Sequence, residues 1–165
     1  MRPAWASGGS EPGLGSLGRR WLALDQEISG LDDAITSRVR RTAPRLLERH
    51  SVGVQTAAQL LITAGGNPDR LHNEAAFAAM CGASPVQASS GKRIRHRLNR
   101  GGDRAANSAL WTIANNHLMH DPRSRTYAAK RTAMGNSRKE ILRCVKRALA
   151  RERYPIILDA LTPLP

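Results

Sequence analysis

Apolar residues recur near the start of the chain at Leu17, Trp21, Leu24, Ile28, Leu31 and Ile35. The steps alternate between four and three, which puts all six on one stripe of a helix and matches a heptad seam. Two readings fit so short a seam: a coiled-coil contact with another helix, or a face packed on the chain's own domain. Upstream, "ASGGSEPGLGS" is rich in Gly, Ser and Pro and has no period, so residues 1–16 are expected to form a disordered leader. Pro44 ends the long helix or begins the next one.

"RLLERHSVGVQTAAQLLITAGG" (45–66) reads as helix, tight turn, helix. Gly53 supplies the turn, Thr56 caps, and Gly65-Gly66 stop the second helix. The pattern is like a helix-hairpin-helix, whose backbone amides grip phosphate, although Ser51 stands where that motif usually has its first glycine. The bland reading is a short joint of the kind any helical protein contains. Asn73 then opens a small helix through Met80, closed by Gly82 and Pro85. Val86–Ala88 and Ile94–His96 are expected to form a short hairpin around Ser89-Ser90-Gly91.

From Asp103 a helix runs to about His120, with Ala106, Leu110, Ile113 and Leu118 facing inward. Asp121-Pro122 starts another, ended by Gly135. Ser137-Arg138-Lys139-Glu140 is a capping box for the last helix, with Leu142, Val145 and Leu149 as its inner stripe. The fold class expected is mainly α, with a coiled-coil-like helix first, a compact helical domain after it, and at most one short β-hairpin. The expected boundaries are 1–16 leader, 17–43 coiled-coil-like helix, 44–158 helical domain and 159–165 tail.

Charge narrows the function. Lys and Arg number 26 against 13 acids, a formal charge of +13. Such an excess repels itself in a folded chain, and a polyanion is the commonest partner that relieves it. An acidic membrane surface is the weaker candidate, since no apolar run approaches a spanning length and no helix has a broad bulky apolar face. Arg19-Arg20 is not an export signal, because Asp25, Gln26 and Glu27 follow within the segment that would have to be apolar. Cys81 and Cys144 lack metal-ligand spacing and read as reduced, buried thiols of a cytoplasmic protein.

The cations are concentrated. Lys92, Arg93, Arg95, Arg97, Arg100 and Arg104 face one acid, Asp103, and eleven more lie from Arg123 to Arg153 against Glu140 and Glu152. Charge runs are usually solvated faces, but this one sits beside Gly91, Gly101 and Gly102, and glycines let a phosphate backbone come close. A serine hydroxyl at Ser89 or Ser90 is a poor nucleophile unless its proton is removed or the charge on its target is held. Neighbouring Lys92, Arg93 and Arg95 suit the second task at a phosphodiester, although Ser-Ser-Gly is most often only a loop. His117 and His120, with Asp121 next, have a spacing that suits a metal, but no further ligand set accompanies them. Asp25, Asp32 and Asp33 read as the solvated face of the first helix, and no carboxylate cluster able to hold magnesium is visible.

Several of these pieces together resemble one family. "VGVQTAAQLLITAGGNPDRLHNEAAFAAMCGASPVQASSGK", "RHRLNRGGDRAANSALW" and "DPRSRTYAAKRTAMGNSRKEILRCVKRALARERYP" are similar to the C-terminal domain of insertion-sequence transposases of the IS-one-ten, one-sixteen and nine-oh-two type. The resemblance runs from about Arg19 to Pro155. It implies a DNA transposase, a recombinase whose nucleophilic serine precedes a glycine, and so maps onto Ser90, with Ser89 as the alternate. It implies backbone contacts to nucleic acid by Gly53, Thr56, Gly91, Lys92, Arg93, Arg95, Arg97, Arg100 and Arg104. It also favours the coiled-coil reading, with Trp21, Leu24, Ile28, Leu31 and Ile35 as the oligomerisation seam. The partners implied are DNA, a guide RNA from the element, and further copies or intact transposase in a mixed oligomer, in a bacterial, nucleoid-associated setting. Members carry magnesium on acidic residues of an N-terminal RuvC-like domain. Nothing in this sequence matches that domain, so no cofactor is expected in this chain, and an amino-truncated copy, inactive alone, is the expectation. The alternative from a different class is a non-catalytic nucleic-acid-binding module or an inhibitor acting through mixed oligomers.

Overall fold

The computed structural model describes residues 11–66, 68–87, 96–97 and 99–162. It is mainly α, with helices α1 (Glu11–Thr42), α2 (Pro44–Leu47), α3 (Val54–Gly65), α4 (Glu74–Met80), α5 (Arg104–His120), α6 (Pro122–Ala133) and α7 (Arg138–Leu161). Strands β1 (Val86–Gln87) and β2 (His96–Arg97) pair antiparallel, Val86 opposite Arg97 and Gln87 opposite His96. The hairpin anticipated from the sequence is therefore present at Val86–Gln87 and His96–Arg97; Ala88, Ile94 and Arg95 lie outside the described residues. The chain divides into two units, one to Ser37 and one from Arg38.

In the first unit the helix includes residues 11–16, which were expected to be disordered, as well as the stretch from Leu17. An acid followed by proline suits the first turn of a helix, where the dipole favours negative charge and the missing N–H has no partner to lose. Leu17, Trp21, Leu24, Ile28 and Leu31 are all exposed. Ile35 is half-buried. Asp25, Asp32 and Asp33 are exposed, as read from the sequence.

In the second unit α7 is the central element, packing on α2, α3, α4, α5 and α6, while α3 also packs on α5. Leu46, Leu60, Phe77, Leu110, Ile113 and Ile157 are fully buried; each such side chain contributes roughly 1.5–3 kcal/mol of transfer free energy. On α5 the inward face is Ala106, Ala109, Leu110, Ile113 and Ala114, with Leu118 only half-buried. On α7 it is Ile141, Val145, Leu149, Ala150, Ile156 and Ile157, with the cations Lys146 and Arg153 among them. Leu142, expected there, is only half-buried, while Ile141 before it is buried.

The stops and starts follow local chemistry. Asn73 caps α4 by accepting from the Ala76 amide at 2.8 Å. Asp121 caps α6 by accepting from the Ser124 amide at 2.8 Å. Ser137 and Glu140 form the capping box of α7. Gly135 ends α6 with φ +82°, in the left-handed region where an added side chain is strained.

Candidate nucleic-acid interface

The segment 99–107, Asn-Arg-Gly-Gly-Asp-Arg-Ala-Ala-Asn, builds a polar knot at the start of α5. Asp103 is its N-cap, accepting from the Ala105 amide at 2.8 Å. The same carboxylate accepts from the Thr63 hydroxyl at 2.6 Å and from Gln59 Nε2 at 3.3 Å, which ties α3 to α5. The Thr63 hydrogen bond, with the Ala105 and Ala106 amides, holds the Asp103 carboxyl below the usual carboxylate range against the opposing effect of burial. Asn99 Nδ2 donates to Ser84 Oγ at 2.8 Å, and Asn99 Oδ1 accepts from the Gly101 amide at 2.9 Å.

Asn107 closes the knot. Its Nδ2 donates to the carbonyls of Cys81 and Gly82, both at 2.9 Å, and its Oδ1 accepts from Lys146 Nζ at 2.8 Å. The loop after α4, the start of α5 and the middle of α7 thus meet at one side chain. Lys146 is only 4% exposed.

A cleft of about 960 Å³ opens beside this knot, between α6, α7 and the hairpin. Arg97, Arg123, Arg131, Arg143 and Lys146 line it, with Asp121, Glu140 and Glu152 as its acids. Two of those acids are spent on capping: Asp121 at α6, and Glu140 accepting from the Ser137 amide at 2.8 Å. The positive groups therefore dominate the field in the cleft. Arg143 Nη2 donates to the His96 carbonyl at 3.0 Å, fastening the second strand of the hairpin to α7. Arg147, also in the cleft lining, makes a two-point ion pair with Glu74 at 2.7 and 2.9 Å, joining α7 to α4.

Of the cations singled out in the sequence, Arg97 lies in this cleft. Arg100 and Arg104 are exposed but do not line it. Ser89, Ser90, Gly91, Lys92, Arg93 and Arg95 lie outside the described residues; Gln87 and His96, which precede and follow residues 88–95, are paired with each other.

The α2–α3 joint is a separate feature. Gly53 is the N-cap of α3; its amide donates to Thr56 Oγ1 at 3.0 Å and the hydroxyl donates back to the Gly53 carbonyl at 2.9 Å. Ser51 has φ +64°, the left-handed conformation a glycine takes at little cost, at the position where a hairpin glycine was expected. Its hydroxyl donates to Asn116 Oδ1 at 3.1 Å, a contact that helps hold the turn.

His117 faces inward: Nε2 donates to the His50 carbonyl at 3.2 Å and Arg153 Nη2 lies 3.4 Å away. Burial, chiefly, lowers its pKa. His120 is exposed, and no three His, Cys, Asp or Glu side chains group to hold a metal among the described residues. Cys81 is buried, which pushes its thiol up to about 12, while Cys144 is only half-buried.

Lys146, Asn107 and Arg143 were not singled out from the sequence. One signal was available: Lys146 and Arg153 fall with Leu142 and Leu149 on a single row of steps of four and three, so two cations interrupt an apolar stripe. Arg153 is 3% exposed and pairs with neighbouring Glu152.

Residues 43–129 match the family described as "Transposase IS116/IS110/IS902 family". The chain is also similar to a curated protein of Streptomyces coelicolor named "Insertion element IS110 uncharacterized 43.6 kDa protein", at 32% identity over 140 residues. That alignment covers 84% of this chain and 32% of the Streptomyces protein, so the chain spans about a third of that relative's length. Among the described residues no helix is long and apolar enough to cross a membrane.

Proposed function

We propose, for a chain that belongs to the transposase IS116/IS110/IS902 family, that it serves DNA transposition as a part that holds the nucleic-acid backbone and presents a serine nucleophile. The observation that carries this reading is the cationic cleft whose wall includes Arg97 and His96, at the exit of the segment containing Ser90. In the step proposed, Ser90 Oγ forms a bond to a backbone phosphorus. The bond from that phosphorus to a sugar oxygen breaks, and the serine's proton ends on the released sugar hydroxyl. Lys92, Arg93, Arg95 and Arg97 stabilise the charge on the phosphoryl oxygens as the bond order changes. Arg100, Arg104, Gly91 and the α3 start at Gly53 and Thr56 hold flanking phosphates.

The described residues do not form a magnesium site. What remains for them is to hold the strand and stabilise charge, while acidic residues of a RuvC-like domain would supply the metal that helps activate the hydroxyl.

The test is adduct formation. With a related RuvC-like domain and magnesium supplied, a covalent protein–DNA adduct should form, vanish in Ser90→Ala and largely persist in Ser89→Ala. Both variants should bind DNA nearly as well as the unmodified chain, since one hydroxyl adds little beside many phosphate contacts. An adduct lost only in Ser89→Ala moves the nucleophile by one residue, and cleavage by the chain unaided refutes the division of labour. Binding should also weaken about 10³- to 10⁵-fold between roughly 50 and 200 mM salt if about six to ten phosphates are contacted.

A second reading is favoured by the exposed apolar stripe of α1. There the chain joins intact transposase in a mixed oligomer, with DNA or an element-derived guide RNA held in common, and limits its activity.

A further inference from the structure

Helix α7 carries a lysine where packing alone calls for an apolar residue. Lys146 is 4% exposed and next to Val145 on the inner side of the helix. Burying an ammonium costs several kcal/mol unless it is paired, and an apolar side chain of similar volume usually does the packing task better. Arg153, the comparably buried cation on α7, has the carboxylate of Glu152 against it. Lys146 has no carboxylate partner among the described residues. The partner it has is neutral Asn107 Oδ1 at 2.8 Å, which takes one of its three N–H donors. Burial first, and then the like charge of Arg143, lower its pKa.

Asn107 is itself fixed, because both its amide hydrogens are donated to the Cys81 and Gly82 carbonyls. The amide oxygen therefore has one orientation, and it holds the ammonium at the wall of the cleft. Arg143, one turn earlier on α7, reaches the His96 carbonyl on the opposite wall. The cleft is large and is also lined by Arg97, Arg123 and Arg131, with two of its three acids already committed to helix caps. A compact anion would need an enclosed pocket with converging donors. Several cations lining one cleft around a desolvated ammonium suit an anion that repeats along a chain.

We propose that the cleft between α6, α7 and the β1–β2 hairpin seats a single DNA strand, with the Lys146 ammonium donating to one of its phosphates and Asn107 acting as the positioning residue that holds that ammonium. This rests on the nucleic-acid reading above and adds to it a defined seat and a defined residue. The Lys146 ammonium is buried in the cleft wall, so a phosphate has to enter the cleft to reach it, which a flexible single strand does more readily than a stiff duplex.

The experiment uses the full chain, a short fluorescein-labelled oligothymidylate and the matching oligouridylate, titrated over a range of salt. Lys146→Met should weaken DNA binding by about tenfold, the size expected for one charged hydrogen bond. It should also reduce the slope of log affinity against log salt by about 0.7, the value for one phosphate on a single strand. Lys139→Met removes the same charge from an exposed position off the cleft and should change affinity less than about twofold. Equal effects of the two variants, or an unchanged slope in Lys146→Met, overturn the proposal. So does a loss confined to the RNA oligomer. If the unmodified chain binds neither oligomer, the nucleic-acid reading itself has failed, which is a distinct result. Should Lys146→Met not fold, ammonium NMR of the unmodified chain decides: the Lys146 resonance should move and exchange more slowly with oligothymidylate bound, and a resonance that stays put refutes the contact.

Discussion

Gly102 lies against the backbone of Gly82 so closely that a Cβ built on it would sit 2.2 Å from the Gly82 nitrogen and 2.5 Å from its Cα. The glycine is thus needed by the protein's own chain, where the loop after α4 crosses the start of α5. Gly82 meets it with φ +63°, a conformation that also excludes most side chains. Gly102→Ala should destabilise by more than about 3 kcal/mol, because backbone on both sides has to move. Gly101→Ala, whose Cβ would come no closer than 3.4 Å to Asn99 Oδ1, should fall within about 1 kcal/mol of the parent. Thermal unfolding of the pair checks this, and equal losses would refute the close-contact account.

Acid should destabilise the second unit in two stages. Glu74, Asp103 and Asp121 have lowered pKa values, from the Arg147, Thr63 and Ser124 hydrogen bonds respectively. A depressed carboxylate contributes stability that is complete above its unfolded value, about 4, and is lost as pH falls through the folded value. His117 adds an earlier stage: its folded pKa is lowered, so the unfolded chain binds the extra proton and stability declines as pH drops below about 6.5. Melting temperature should therefore be flat near neutrality, sag slightly toward pH 5 and fall steeply below 4. Asp103→Ala should cost about 1–2 kcal/mol at neutral pH, as loss of an N-cap does, and flatten the steep part.

The helices were legible because each is announced by local chemistry: Asn73, Asp121 and Ser137 are caps whose side chains must find nearby amides, whatever the tertiary fold. The hairpin was legible at Val86 and at His96, which pair across it with Arg97 and Gln87. The knot was hidden for a different reason. Asn107 reaches Cys81 and Lys146, 26 and 39 residues away, and no local rule connects them. The same holds for Gly102, whose reason for being glycine is a backbone twenty residues upstream. What the sequence suggested there was access for a phosphate; what occupies the space is Gly82.

Self-association should reside in α1. Trp21, Ile28 and Leu31 are 65%, 56% and 57% exposed on one stripe, more apolar surface than an isolated helix leaves in water without cost. Gly18 and Gly30 each cost the helix about 1 kcal/mol relative to alanine, so a partner helix is what would stabilise it. Leu24→Asp combined with Ile28→Asp should give a folded monomer with unchanged melting of the second unit. Sedimentation velocity over a concentration series is the measurement, and a parent chain that stays monomeric at high concentration ends this reading.

The α2–α3 joint can be probed apart from the cleft. Nothing lies within 4 Å of a Cβ placed on Gly53, so a longer side chain there meets open space. Gly53→Glu should leave folding within about 1 kcal/mol of the parent, since glycine and polar residues are both tolerated at helix N-caps and an acid suits the dipole. If the start of α3 rests on a phosphate, that carboxylate faces a like charge and binding to duplex DNA should fall by about tenfold or more at low salt. The effect should shrink as salt rises and the contact is screened. An equal acid placed away from the joint, as in Thr162→Glu, sets the loss expected from net charge alone. If Gly53→Glu weakens duplex binding no more than Thr162→Glu does, the joint is a structural turn and the phosphate contacts belong to the cleft and its neighbouring cations.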